Sequence, residues 1–249
     1  MEEVSYAART DVGKKRQHNE DCYGVNETLG LYVIADGMGG HASGEVASKI
    51  AVAVIEEKVT QGLTLVDAIE QAHLAILEGV KNGEGKKGMG TTIVAVQLHE
   101  NEYTLAWVGD SRAYLWDGVI SQLTKDHSMV QMLIDSGQIT EAEARVHPGK
   151  NIIFQNLGSA QTEVFDVSVE QGVLYSGQKI VLCSDGLSDE VDNDEMSEII
   201  NACHKVADND ECIVDQLVNA ALKNGGSDNI SVMVVSASID AMQKPEQEC

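Results

Sequence analysis

Two spacings of apolar residues alternate along the chain. The first is short and strand-like. "VSYAART" (4–10), "CYGV" (22–25), "LYVIA" (31–35), "TTIVAVQL" (91–98), "EYTLAWVG" (102–109), "RAYLW" (112–116), "VISQLT" (119–124), "VFDVSVE" (164–170), "KIVLCS" (179–184) and "ISVMVVSA" (230–237) are rich in β-branched and aromatic residues. Polar turn residues bound most of them, which predicts strands. The second spacing is helical. After Ser43, Val46, Ala47, Ile50, Ala51, Val54 and Ile55 fall on one helical face, and a second helix is predicted over about 65–80. A last helix, about 210–223, aligns Ile213, Val214, Leu217, Val218 and Ala221 and ends at Asn224-Gly225. Ser128 with Gln131, Thr140 with Glu143 and Asp192 with Glu195 have the spacing of capping boxes, so further helices are predicted to start there.

The connections between strands decide how they pair. "HENE" joins two strands, and Asp117-Gly118 is a strong hairpin signal between "RAYLW" and "VISQLT". Such short links imply antiparallel sheets. Helices packed outside two such sheets would bury every apolar face, so the expected class is α+β, a layered sandwich. Prolines stand only at 148 and 245, with no linker-like stretch and no internal repeat. One domain over residues 1–240 is therefore expected, with a polar tail at 241–249.

Composition adds exclusions. No run of 18 apolar residues exists to form a transmembrane helix, and "MEEVSYAARTDVG" lacks the basic-then-apolar order of a secretory signal. A cytoplasmic location is the expectation. The 40 acidic residues against 17 basic ones give a formal charge of −23, which repels nucleic acid and anionic membranes. The five cysteines show no CxxC pair or zinc-like spacing, and are read as free thiols.

One pattern carries chemistry. "LYVIADG" ends a strand with Asp36-Gly37, "TLAWVGDSR" with Asp110 and "KIVLCSDG" with Asp185-Gly186, while Asp228-Asn229 immediately precedes "ISVMVV". Each aspartate alone is explained by a turn or a cap. Four at strand termini are different, because aspartates at the same rim converge. Converging carboxylates repel unless a cation lies between them, and an all-oxygen set selects Mg²⁺ or Mn²⁺. The glycines of "DGMGGHASGE" do not make a nucleotide loop. No lysine followed by Ser/Thr completes a Walker A motif, and the third glycine of a dinucleotide fingerprint is replaced by Ala42. Arg16, just before Asn19, Glu20 and Asp21, suits either an ion pair or bidentate phosphate binding.

Taken in order, "GKKRQHNED", "VIADGMGGHASGEVAS", "GMGTTIVAV", "WVGDSRAYLW", "LTKDHSMVQMLIDSGQITEAEARVHPGKN", "VLCSDGLSDEV" and "GGSDNISVMVV" resemble the metal-dependent protein phosphatase family (type 2C, PPM) in its compact bacterial form. The resemblance spans about residues 4–236. It implies a four-layer αββα sandwich with two Mn²⁺ or Mg²⁺ ions at one end of the sheets. By position, Asp36 bridges the ions, the Gly37 carbonyl binds one, and Asp185 and Asp228 bind the other. Glu20 and Asp21 hold metal-bound waters, Asp110 with Asp185 forms a weaker third metal site, and Arg16 binds the phosphate. Residues of about 127–153 correspond to a flap beside the site.

The implied reaction is hydrolysis of phosphoserine and phosphothreonine by direct attack of a hydroxide shared between the ions. The implied partners are phosphoproteins and a bacterial Ser/Thr kinase that the enzyme opposes, with the phosphatase a monomer. Two departures stand out. Met38 occupies a position where some members carry a histidine, which leaves His41 and a metal-bound water as candidate proton donors, the water being preferred. Gln155 stands in "FQNLGS", where relatives often have arginine or threonine. Alternative readings are a phosphatase of small phosphoesters and a pseudophosphatase that only binds phosphoproteins.

Overall fold

A computed structural model describes residues 3–39, 43–159, 166–207 and 209–238. Strands β1 (Glu3–Asp11), β2 (Cys22–Asn26), β3 (Leu31–Ala35) and β4 (Gly37–Met38) lead into helices α1 (Ser43–Thr60) and α2 (Leu65–Asn82). Then follow β5 (Gly90–Thr91), β6 (Ile93–His99), β7 (Glu102–Val108), β8 (Arg112–Trp116) and β9 (Ile120–Gln122). Short helices α3 (Met129–Asp135) and α4 (Glu141–Arg145) precede β10 (Ser168–Val173), β11 (Lys179–Cys183) and α5 (Asp185–Ser188). Helices α6 (Asn193–Ala207) and α7 (Asp210–Asn224) and strand β12 (Ile230–Ser238) complete the order.

Two five-stranded antiparallel sheets form, in the orders β1-β12-β11-β8-β9 and β10-β7-β6-β3-β2. Side chains alternate across a strand, so each central strand feeds two cores. Tyr32 and Ile34 face between the sheets with Val94, Leu105, Trp107, Leu182 and Met233. Leu31, Val33 and Ala35 face the other way, against Ala47, Ala51 and Ile55 of α1 and Ile69 and Ala72 of α2. On the opposite side, Val181, Val232 and Val234 pack under Ile200 of α6 and Leu217 and Val218 of α7. Being covered on both faces, these strands read as unbroken apolar runs. The architecture is the expected α+β sandwich, with helices on the outer face of each sheet.

Details depart from the sequence expectations in four places. The Thr140–Glu143 capping box is complete, but Ser128 makes only its half of one, accepting from the Gln131 amide. Of the strand expected at 164–170, residues 164 and 165 lie outside the described residues, and the described strand runs from Ser168 to Val173. The hairpin expected at Asp117-Gly118 is present, but pairing closes at Trp116 and Ile120, so Val119 belongs to the turn, in which Gly118 has φ +108°. Fourth, the cysteines are not all free. Cys203, at the end of α6, is disulfide-bonded to Cys212 in the first turn of α7. Their Cα atoms are 5.9 Å apart. A spacing of nine residues gave no sign of this, because the pairing depends on how two helices turn back on each other. Cys22 and Cys183 are free, and Cys249 lies outside the described residues.

Candidate metal centre

Antiparallel pairing explains why the aspartates meet. Cys22 pairs with Ala35, Ile93 with Val108, Cys183 with Arg112 and with Val232, and Asp11 with Ile230. The end of β3, the end of β7, the end of β11 and the starts of β2 and β12 therefore share one rim. Asp36, Asp110, Asp185, Asp228, Glu20 and Asp21 stand just beyond those strand ends.

The backbone around Asp36 is held from two sides. Its carbonyl accepts from the Thr92 amide at 2.8 Å and from Thr91 Oγ1 at 2.8 Å, and its amide donates to Thr92 Oγ1 at 3.2 Å. Thr92 Oγ1 also shares a 2.7 Å hydrogen bond with Ser111 Oγ, tying the Asp36 turn to the Asp110 turn. Gly37 donates its amide to the Glu20 carbonyl at 3.2 Å. A side chain at Gly37 would collide with the Gly44 carbonyl, so glycine lets the first turn of α1 close on the rim. Glu20 is fixed at both ends: its amide donates to Asn229 Oδ1 at 2.8 Å, and its Oε1 accepts the Gly44 amide at 3.2 Å.

Asp21 is buried, and its Oδ2 accepts from Ser184 Oγ at 2.9 Å and Ser231 Oγ at 2.7 Å. Asn229 stitches the two ends of the site, donating from Nδ2 to the Val12 and His18 carbonyls at 2.9 Å each. Sequence reading picked out Asp228-Asn229 for its aspartate alone. It missed Asn229, Ser184, Ser231, Thr91 and Thr92 as supports. The only sequence signal for them was a polar residue at the end of an apolar strand.

The electrostatics are those of crowded anions. Burial and the charges of Asp21, Asp185, Asp110 and Asp228 hold the Asp36 carboxyl well above its ordinary range. Asp185 is raised likewise by burial and by Asp110, Asp189 and Asp228. Burial lifts Asp110 to about 7 and Asp21 to about 6. Two carboxylate oxygens here, Asp21 Oδ1 and Asp185 Oδ1, are buried with no hydrogen-bond partner. Unbonded buried oxygens among mutually repelling carboxyls are what a hard cation relieves, so the donor set fits Mg²⁺ or Mn²⁺. Among the described residues, no three acidic, histidine or cysteine side chains already surround a single point. At this rim Arg16 Nη2 donates to Asp228 Oδ2 at 2.6 Å and offsets the charge of that carboxylate.

Met38 sits beside the centre in β4, paired with Gly90, and brings no proton donor. His41 lies outside the described residues. Residues 128–153 form an excursion closed at its base by pairing of Ser128 with Ile153. Between this excursion and the rim lies a cavity of about 320 Å³, bounded by Asp110 and Asp185 at one end and by α3 and α4 at the other. Arg112 and Asp126 form its floor, joined through Nε and Nη2 at 2.6–3.1 Å. That ion pair was not anticipated from the sequence.

The sequence matches the protein phosphatase 2C family over residues 12–224. It is 38% identical over 238 residues to the serine/threonine protein phosphatase PstP of Mycobacterium tuberculosis, covering 93% of this chain and 44% of that protein. The chain thus spans less than half the length of that relative. It is 36% identical over 253 residues to the serine/threonine phosphatase Stp of Listeria innocua, covering 95% of this chain and 96% of that one. Among solved structures, the catalytic domain of PstP in complex with two manganese ions superposes with a TM-score of 0.82. It is 33% identical, with 95% of this chain and 99% of that chain covered. The fold, the rim of aspartates and these likenesses agree: the chain belongs to the protein phosphatase 2C family.

Proposed function

We propose that this chain is a metal-dependent phosphoprotein phosphatase that hydrolyses phosphoserine and phosphothreonine and opposes a bacterial Ser/Thr kinase. The observation that carries this is the rim of carboxyls with two buried, unbonded oxygens at Asp21 and Asp185. The manganese pair in the PstP structure supports it. Asp36, the Gly37 carbonyl, Asp185 and Asp228 would hold two Mn²⁺ or Mg²⁺ ions, Glu20 and Asp21 their waters, and Asp110 with Asp185 a weaker third. When bound, such cations acidify water and polarise the phosphoryl group.

The remaining work falls to the chain itself. The Arg16 guanidinium, half exposed beside Asp228, has N–H groups left to bind phosphoryl oxygens and to stabilise their growing charge. The Thr91, Thr92 and Gly44 contacts keep the Asp36 turn from shifting as charge moves. Met38 gives the leaving alkoxide no proton, which leaves a metal-bound water as the preferred donor and His41 as the other candidate. All the candidate ligands are present, which argues against a pseudophosphatase.

Phosphoserine, phosphothreonine and phosphotyrosine peptides and sugar phosphates, each offered with Mn²⁺ and with chelator, test the reading. Expected are turnover of the first two only, loss with chelator, and loss in Asp36→Asn. Activity retained in Asp36→Asn overturns the metal reading, and a preference for sugar phosphates overturns the protein substrate.

A further inference from the structure

The cavity beside the rim holds a feature that hydrolysis itself does not require. Three cations line it, and two are already engaged. Arg112 is bound to Asp126, and Lys150 Nζ lies 2.6 Å from Asp189 Oδ2. The third, Arg145, stands exposed in the last turn of α4, and its guanidinium makes no hydrogen bond or ion pair among the described residues. Glu141 lines the cavity one turn earlier on the same helix without bonding it. Val130, Ile134 and Ala144 form the wall between α3 and α4.

Of the rim residues, Asp110 and Asp185 line this cavity, so it offers a path from the rim to α4 for residues that flank a phosphoester. The volume, about 320 Å³, is at the low end of the range of roughly 300–1,000 Å³ for ligand pockets, which suits a short stretch of peptide. A guanidinium fork favours a planar carboxylate or a phosphoryl group over a neutral side chain. The net charge of −23 repels acidic peptides, so any preference for them must come from a cation at contact range.

We propose that Arg145 sets substrate specificity by binding an anionic group, an acidic side chain or a second phosphoryl, that flanks the phosphoresidue. This deepens the phosphatase reading and rests on it. The experiment compares kcat/KM for phosphothreonine peptides with one aspartate walked through the flanking positions, one with a second phosphoserine there, and a neutral parent.

Wild type is expected to favour the peptides with an anion at one position. In Arg145→Ala the ratio of anionic to neutral kcat/KM falls about two- to fivefold, as expected for the loss of an exposed ion pair. Arg145→Lys retains part of the ratio, Arg145→Glu inverts it in favour of the neutral parent, and Glu141→Gln raises it. The aspartate and phosphoserine arms show which anion is preferred. Equal use of anionic and neutral peptides by wild type, or an unchanged ratio in Arg145→Ala, overturns the proposal. If no phosphopeptide is turned over with Mn²⁺, the phosphatase reading fails instead. Fluorescence anisotropy of the same labelled peptides then decides the role of Arg145 by the same ratios.

Discussion

Asp126 anchors Arg112 with both carboxylate oxygens beneath the rim, and it is almost wholly buried. Removing one partner of such a pair leaves a charge without an answer. Asp126→Ala is therefore expected to lose about 3–5 kcal/mol in urea unfolding, while the double replacement Arg112→Met/Asp126→Leu recovers much of it. Arg16 is the opposite case. Its pair with Asp228 is half exposed, so Arg16→Ala changes stability by less than about 1 kcal/mol. Its effect belongs in a KM raised several-fold for phosphopeptides, and an unchanged KM removes it from phosphate binding. At this scale the sequence was legible where chemistry coincided with pattern. Asp36, Asp110, Asp185 and Asp228 each interrupt an apolar run at its end. Asn229, Ser184 and Ser231 were not, because their partners lie far away along the chain and a serine or asparagine suits many roles.

Elements place these residues through a few close approaches. Gly186, the second residue of α5, faces the Asn229 carbonyl so closely that a Cβ there would overlap it. Gly186→Ala must push α5 away from the segment before β12, separating Asp185 from Asp228. Loss of about a hundredfold in kcat/KM is expected with an unchanged circular dichroism spectrum, as for a displacement near 1 Å in a catalytic site. The Thr140–Glu143 capping box holds the start of α4, and Thr140→Ala should destabilise that helix by about 1 kcal/mol. Amide exchange confined to residues 141–145 would report it. Helix starts were legible from such boxes because the signal is local. The α6–α7 disulfide and the closure of the excursion at Ser128 and Ile153 were not, since both depend on segments meeting in space.

For the whole molecule, the crowded rim predicts a pH dependence with a definite sign. Asp21 and Asp110 titrate near 6 and 7 when folded, against an ordinary value of 3.8. Between pH 4 and 7 the folded chain therefore holds more protons than the unfolded one, and stability falls as pH rises through that window. In chelator, the thermal midpoint should be higher at pH 5 than at pH 7.5. Mn²⁺ should raise it most at pH 7.5, by about 5–10 °C at a hundredfold excess over its Kd. A midpoint that rises with pH in chelator would contradict the crowding of these acids. A layered α+β sandwich was legible in the strand and helix spacings, and its four αββα layers in the family resemblance; the strand order within each sheet was not.

That strand order has a consequence for biosynthesis. β1 pairs with β12 along its whole length, Glu3 with Ser238 through Asp11 with Ile230. β12 also separates β1 from β11 in the sheet. During translation, β1 leaves the ribosome well before β12, more than 200 residues later in the chain, and cannot pair until β12 has emerged. Asn229, which clasps the Val12 and His18 carbonyls, arrives equally late. A nascent chain that has exposed Asp36, Asp110 and Asp185 still lacks Asp228 and the strand that brings the two halves of the rim together. The rim of carboxyls is therefore completed only when the last strand has been made.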